Sequence, residues 1–99
     1  MDWEFDGEII EWRGPAPFLF VDLDPELSAD VKSAARGLEY WGQVAVEALI
    51  GGTRFTTALF PKDGRYLLPV KAAVQQAEQI GEGDVVQVTM ALRLPRAMR

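Results

Sequence analysis

The fold is decided by residues 43–60, which read QVAVEALIGGTRFTTALF. In the first half of this stretch an apolar residue occupies every second position, which is typical of a strand with one buried face. Gly51 and Gly52 then form a two-residue turn, and the second half returns as the partner strand. The stretch therefore predicts an antiparallel hairpin.

Four further strands and two short helices are predicted outside this hairpin. Strands are expected over residues 3–12, 18–21, 65–70 and 85–94, and helices over about 25–36 and 71–79. The first helix is predicted from Asp24 as its N-cap and Pro25 at its first position. The order β-β-α-β-β-β-α-β in 99 residues predicts one mainly β domain spanning 1–99. We expect a small closed six-stranded barrel, mostly antiparallel.

The buried positions of these strands should form the core. We expect it to contain Val44, Val46, Ile50, Phe55, Val86, Val88, Met90 and Leu92. In the first strand the alternation slips at Ile9 and Ile10, which predicts a β-bulge after which Ile10 and Trp12 continue the buried face. The strand aromatic residues are also expected in the core: Trp3, Phe5, Phe18, Phe20, Phe55 and Phe60. Aromatic residues near turns are candidates for a pocket mouth or a contact surface: Trp12, Tyr40 and Trp41.

Composition excludes several classes of function. The chain has no cysteine and no histidine, so the usual general base, nucleophilic thiol and transition-metal ligands are missing. The net charge is −5, with nine acids and one base (−8) in residues 1–30. We therefore expect no nucleic-acid partner. Because no secretory signal or membrane span is visible, we expect a cytoplasmic protein that does not bind membranes.

Lys71 is the polar residue that most strongly suggests a ligand-binding site. It opens the second predicted helix, where free backbone N–H groups and the positive end of the helix dipole favour an anion. Arg54 and Arg65, on the two preceding strands, are candidates to complete an anion or ligand site with Lys71. A solvent-facing lysine is the simpler interpretation. No metal site, catalytic residue or cofactor is predicted, and Ser28 and Ser33 are interpreted as the polar outer face of the first helix.

Several short motifs resemble a known family. They are the Gly51-Gly52 turn, the run Leu68 to Lys71 and the run Gly83 to Val86, at their spacing in this chain. The sequence resembles an uncharacterised prokaryotic family of small β-barrel domains of unknown function, found alone or fused to the bacteriocin-protection (OmpD-associated) domain. The resemblance implies a closed barrel and no particular reaction.

Three functions stay open at this point. The preferred hypothesis is a non-enzymatic binding or interaction domain, a monomer or homodimer, whose partner is a small molecule or a protein. An alternative is a small enzyme that uses carboxylates and Lys71 for acid–base chemistry. The segment from residue 69 to 85 is also similar to the half-barrel of AbrB-like DNA-binding regulators. Its predicted helix carries one base and one acid, Lys71 and Glu78, so DNA binding is disfavoured.

Overall fold

A computed structural model of the protein describes residues 2–12, 18–39 and 42–93. The strands are β1 (Trp3–Trp12), β2 (Phe18–Asp22), β3 (Val44–Ile50), β4 (Thr53–Lys62), β5 (Arg65–Pro69) and β6 (Val85–Leu92). The helices are α1 (Pro25–Ala34), between β2 and β3, and α2 (Ala72–Glu78), between β5 and β6. The predicted order of elements is confirmed.

The six strands close into a barrel in the order β1-β2-β5-β4-β3-β6. Every neighbouring pair is antiparallel. The hairpin of β3 and β4 pairs from Ile50 opposite Thr53 to Val44 opposite Leu59, as its glycine turn predicts. The predicted fold class, a closed six-stranded antiparallel barrel with two helices, is therefore confirmed.

β1 belongs to both halves of the barrel. It pairs with β6 over residues 3–8 and with β2 over residues 9–12. β1 itself contains no extra residue in either register, so the predicted bulge at Ile9 and Ile10 is wrong. The extra residue lies on the opposite side, in the segment before β6. There the Ile9 N–H donates to the Asp84 carbonyl at 2.8 Å and the Gly83 N–H donates to the Ile9 carbonyl at 2.8 Å, with Gly83 at a φ of 90°. Ile9 lies in the core, and the next residue, Ile10, faces the outside of the barrel. The sequence pattern misled because this end of β1 carries apolar residues on both faces.

A glycine, rather than a bulge, allows β1 to approach β2 closely. Gly7 is buried, and a Cβ built on it would lie 2.4 Å from Val21 Cγ1 and 3.3 Å from the Asp22 carbonyl oxygen. A strand glycine commonly marks such a close approach at a barrel corner. The missing side chain at residue 7 is therefore what lets the two strands meet here.

The core agrees with the predicted positions except at its end. The aliphatic core residues predicted on β3 and β6, together with Phe55, are buried apart from Leu92, which is half-buried and packs against the core. Trp3 and Phe5, also predicted in the core, are half-buried and pack against it. Gln87 and Arg93 are exposed, as the alternation of the last strand predicts. The strand was predicted as far as Leu94, but residues 94–99 lie outside the described residues.

α1 begins as predicted and is fixed to the barrel by a serine. The Asp24 carboxylate accepts a hydrogen bond from the Leu27 N–H at 2.8 Å. Ser28 is 2% exposed, donates to the Leu23 carbonyl at 3.2 Å and accepts from the Tyr66 N–H at 3.0 Å. The interpretation of Ser28 as an outer-face residue is therefore wrong, because its hydroxyl joins α1 to β5. Ser33 is exposed, as expected.

α2 is a seven-residue helix that packs beside β4 through its buried residue Val74. Lys71 occupies the N-cap position but makes no side-chain capping bond. At the other end, the Glu78 carboxylate accepts a hydrogen bond from Thr53 Oγ1 at 2.6 Å. Neither α1 nor α2 has the length and apolar character needed to cross a membrane, and the described residues contain no other helix.

Candidate ligand-binding surface

Four aromatic side chains gather on the outside of the barrel. Trp12, Phe18, Phe20 and Phe60 come from β1, β2 and β4, and we call them the aromatic face. The Trp12 ring centroid lies 6.1 Å from that of Phe20 and 5.4 Å from that of Phe60, and the Phe18 and Phe20 centroids are 6.3 Å apart. These separations are typical of interacting aromatic rings. The aromatic face is therefore a packed cluster.

The aromatic face combines one buried ring with two exposed rings. Phe20 is 6% exposed, whereas Phe18 is 59% and Trp12 is 39% exposed. Exposed apolar side chains that stand together are characteristic of interaction sites. The expectation that Phe18 and Phe60 belong to the core is wrong, because β2 and β4 direct these residues outward while their neighbours fill the barrel. Phe20 is buried, as expected, beneath the exposed rings of this face.

A lysine covers one ring of this cluster. The Lys62 Nζ lies 4.3 Å from the centroid of a Trp12 ring, which is a cation–π arrangement. The same ammonium is 4.0 Å from Asp63 Oδ2, the limit of an ion pair, and the Asp63 side chain is 86% exposed. Solvent screens so exposed a pair. Lys62 therefore gives one end of the aromatic face a positive charge.

A second lysine lies at the opposite end. The Val70 N–H donates to the Leu19 carbonyl at 3.0 Å, which extends the pairing of β2 with β5 beyond Pro69. In this register the next outward positions are Phe18 and Lys71. Lys71 is exposed. The register therefore aligns the backbone of Lys71 with that of Phe18, whose ring is the most exposed of the aromatic face.

Charged residues line a depression that adjoins the aromatic face. Its volume is about 410 Å³. We call it the charged depression, and its lining is Ile10, Asp22, Pro25, Lys62, Asp63, Arg65 and Leu67. Lys62 belongs to both surfaces. The depression therefore offers two acidic and two basic side chains over an apolar floor.

One ion pair crosses the charged depression and is only partly hydrogen-bonded. The Arg65 Nη1 lies 3.3 Å from Asp22 Oδ2, and the two side chains are 33% and 29% exposed. Within the described residues, Asp22 Oδ1 and Arg65 Nε are buried atoms without a hydrogen-bond partner. Polar atoms that are buried without partners are costly. The pair therefore leaves two polar atoms buried and unsatisfied within the described part of the chain.

The three predicted cations occupy separate places. Arg54 is exposed on the outside of the hairpin and pairs with Glu47. Arg65 begins β5 and Lys71 follows its end, so six extended residues, roughly 20 Å, separate their Cα atoms. The structure therefore brings Lys71 to the aromatic face and Arg65 to the charged depression, and it does not join them.

Titratable groups outside this region offer little for chemistry. Across the described ranges, no group of three or more acidic side chains is arranged to hold a metal ion. Burial raises the pKa of Tyr66 above its usual 10.0, with a smaller contribution from the negative charge of Glu39. Tyr66 is 6% exposed in the core, so this shift reflects packing. Tyr40 and Trp41, predicted candidates for a pocket mouth, lie outside the described residues.

Sequence reasoning missed most of the aromatic face. It singled out Trp12 as a contact residue but did not consider Lys62. A signal was available, because the outward positions Phe18, Phe20 and Phe60 are apolar on strands whose inward positions are apolar too. Apolar residues on both sides of a strand predict either burial on both sides or an exposed apolar face. Only the arrangement of strands distinguishes the two.

The geometry defines a small antiparallel β-barrel with an aromatic, lysine-flanked outer surface. Within this class the chain belongs to the family described as Domain of unknown function (DUF1905), whose model matches residues 5–90. The resemblance in the sequence is confirmed at this level. The chain matches no curated protein.

Proposed function

We propose that this protein is a non-enzymatic binding domain whose aromatic face binds an acidic peptide segment of a partner protein. The observation that carries the proposal is the exposure of Phe18 and Trp12 between two lysines, Lys62 and Lys71. An apolar surface flanked by cations complements a segment that carries both apolar and acidic side chains.

The apolar part of the face would supply most of the affinity. Hot spots of protein interfaces are enriched in large aromatic residues that rest on a well-packed base. Phe18 and Trp12 fit this description, because the buried ring of Phe20 lies within 6.3 Å of both rings. The buried Phe20 ring holds the two exposed rings in place, so little rotamer freedom is lost when a ligand covers them.

The lysines would supply orientation and selectivity. The protein as a whole has a net charge of −5, which repels an acidic partner from most of its surface. Lys62 and Lys71 flank the aromatic face and make it locally favourable for acidic side chains. Electrostatic complementarity of this kind mainly raises association rates and excludes wrong partners. The sensitivity of binding to salt should therefore come from these two lysines.

The alternative of an enzyme has less support. Asp22 is paired with Arg65, and Asp24 caps α1. Lys71 follows β5 at the end opposite Arg65, so it is remote from both of these carboxylates. Both carboxylates already accept structural bonds, so they are less available to contact a substrate. AbrB-like DNA binding also has little support, because the surface between Lys62 and Lys71 is largely aromatic.

The family resemblance fits an interaction role. A prokaryotic domain that also occurs fused to a bacteriocin-protection domain would work beside other protein modules. Binding to a peptide segment is a property that such a module can contribute whether it stands alone or is fused.

The test is selection from a displayed library of random 12-residue peptides, with the wild-type protein as bait. We expect enriched peptides to combine acidic with aromatic or proline residues and to lose binding at least tenfold to Phe18→Ser. The matched control is Val85→Ser on β6, which replaces another exposed apolar residue, 69% exposed, away from the aromatic face. The proposal is overturned if no peptide is enriched, if the enriched peptides are basic, or if Phe18→Ser and Val85→Ser bind them as the wild type does.

A further inference from the structure

The backbone hydrogen bonds at the starts of the two helices repeat at a constant spacing. The Leu23 N–H donates to the Tyr66 carbonyl at 3.2 Å, and the Val70 N–H donates to the Leu19 carbonyl at 3.0 Å. The two donors are 47 residues apart in the sequence, and so are the two acceptors. The second bond is therefore the first one with the roles of β2 and β5 exchanged.

The side chains next to these bonds repeat at the same spacing. Ser28 Oγ donates to the Leu23 carbonyl at 3.2 Å, and Gln75 Nε2 donates to the Val70 carbonyl at 2.9 Å. The N-cap residues of α1 and α2 are also 47 residues apart. The step from strand to helix is therefore built twice in the same way.

The order of strands is unchanged when the two halves of the chain are exchanged. The first half contains β1, β2, α1 and β3, and the second contains β4, β5, α2 and β6. Replacing each strand by its counterpart turns β1-β2-β5-β4-β3-β6 into β4-β5-β2-β1-β6-β3, which is the same closed ring read in the other direction. β1 and β4 each have ten residues, and β2 and β5 each have five. Two identical subunits related by a two-fold axis would give this arrangement.

The start of β1 meets the end of β6 as the two halves meet each other. Ile50 pairs with Thr53 across the glycine turn that joins β3 to β4. Met90 pairs with Trp3 in the same antiparallel manner, between β6 and β1. The place where the second half adjoins the first is therefore the counterpart of the glycine turn.

We infer that the barrel consists of two equivalent ββαβ units, residues 3–50 and 53–92, related by an internal two-fold axis. This inference is independent of peptide binding. Four of the six pairs of neighbouring strands join one unit to the other, whereas β1–β2 and β4–β5 each lie within one unit. Each unit is therefore completed by the other, as the subunits of an intertwined dimer are.

The axis relates the two candidate surfaces to each other. The registers of β1 with β2 and of β4 with β5 make the outward positions of these strands counterparts. The counterpart pairs, with the aromatic-face residue first, are Trp12 and Lys62, Phe18 and Arg65, Phe20 and Leu67, and Phe60 and Ile10. The charged depression is therefore the counterpart of the aromatic face, with charged and aliphatic side chains in place of the rings. The same surface occurs twice with two chemistries, so a ligand for the rings finds one site on each barrel.

The test exchanges the order of the units in the full chain. A circular permutant that begins at Thr53, joins Arg99 to Met1 and ends at Gly52 keeps the wild-type order of elements, β-β-α-β-β-β-α-β. The pairings that are local in the permutant are the counterparts of those that are local in the wild type. We therefore expect the permutant to fold and to melt within about 8 °C of the wild type.

The matched control is a permutant that begins at Gly64 and ends at Asp63. It also opens a two-residue turn and also joins the original ends, but it divides the second unit between the two ends of the chain. We expect it to melt at a lower temperature than the first permutant. The inference is overturned if the first permutant does not fold, or if it melts no higher than the control.

Exchanging two counterpart residues gives a second test that needs no new chain ends. The Lys62 Nζ lies 4.3 Å from the Trp12 ring centroid, so this contact joins counterpart positions across the axis. Trp12→Lys combined with Lys62→Trp rebuilds the contact with its partners exchanged. The new indole would lie beside Ile10 and Leu67, the counterparts of the rings around Trp12. We expect the double variant to melt above both single variants, and a double variant that does not do so overturns the equivalence of the units.

Discussion

The carboxylate of Glu78 lies where a side chain on Gly51 would project. A Cβ built on Gly51 would stand 1.9 Å from Glu78 Oε1, and the same carboxylate accepts the hydrogen bond from Thr53 Oγ1 at 2.6 Å. Gly51 also has a φ of 58°, in the left-handed region. One carboxylate thus joins the end of α2 to the hairpin turn, and a side chain on residue 51 would displace it from its present position.

Gly51→Ala should lower the free energy of unfolding for two separate reasons. The left-handed backbone costs a residue with a Cβ about 1–2 kcal/mol. The new methyl group also pushes Glu78 away from Thr53, which removes a charged hydrogen bond worth about 1.5–3 kcal/mol. The measurement is urea unfolding of the wild type and the variant.

Gly64→Ala is the matched control for this substitution. Gly64 has a φ of 79°, but nothing lies within 4 Å of a Cβ built there, so only the backbone cost applies. Gly51→Ala should therefore be the more damaging of the two in the wild type and equal to Gly64→Ala in a Glu78→Ala background. Equal losses in the wild type would show that Glu78 moves aside at no cost.

Ser28→Ala should destabilise the fold although it removes only one oxygen. The substitution leaves the Tyr66 N–H without its acceptor and the Leu23 carbonyl without its donor in a buried place, at a cost of about 1–3 kcal/mol. Ser33→Ala, on the exposed side of the same helix, should change the free energy of unfolding by less than about 0.5 kcal/mol. Equal effects in chemical denaturation would contradict the structural role of Ser28.

The two serines show where sequence reasoning reaches its limit. The positions of most strands along the chain are predictable from the alternation of apolar residues, because a period of two allows one side of each strand to be buried. The helical spacing of Leu27, Val31, Ala34 and Leu38 predicts the buried face of α1, but Ala34 is exposed and Ala35 is buried. The helix is therefore rotated so that Ser28 enters the core beside Val31. The docking partner of Ser28, the Tyr66 N–H, comes from a distant part of the chain, so the helix sequence alone does not reveal that rotation.

The candidate surface was harder to predict than the fold. The sequence selects Lys71 because it opens a helix and Arg65 because it lies on a preceding strand, whereas the β2–β5 register aligns Lys71 with Phe18. Arg65, at the start of β5, forms an ion pair with Asp22, at the end of β2. Contacts between strands that are distant in sequence leave no local signature, so only the closed barrel shows which polar residues share a site.

Tyr66 should make the protein sensitive to alkaline pH. Burial holds the folded-state pKa of Tyr66 above its unfolded value of 10.0, so the native state keeps this proton longer than the unfolded state does. Unfolding then releases a proton above pH 10, and the free energy of unfolding falls as pH rises. The contribution is fully present below pH 10. Melting temperatures at steps from pH 8 to 11 measure the loss.

Tyr66→Phe isolates this contribution from other groups that titrate in the same range. The variant keeps the ring in the core and has no phenol to ionise. We expect its melting temperature to fall less steeply than that of the wild type above pH 10. Parallel curves would mean that Tyr66 ionises as readily in the folded state as in the unfolded one.

Phe18 and Phe20 provide a final comparison, because they project from the same side of β2. Phe20 is 6% exposed, and Phe20→Ala should cost about 3–5 kcal/mol, as for a core ring. Phe18 is 59% exposed, and Phe18→Ala should stay within about 0.5 kcal/mol of the wild type. Urea unfolding of both variants measures the contrast. A large loss at Phe18 would mean that this ring is needed for folding, and its exposure would then be no argument for a ligand. A small loss leaves the ring free to serve binding.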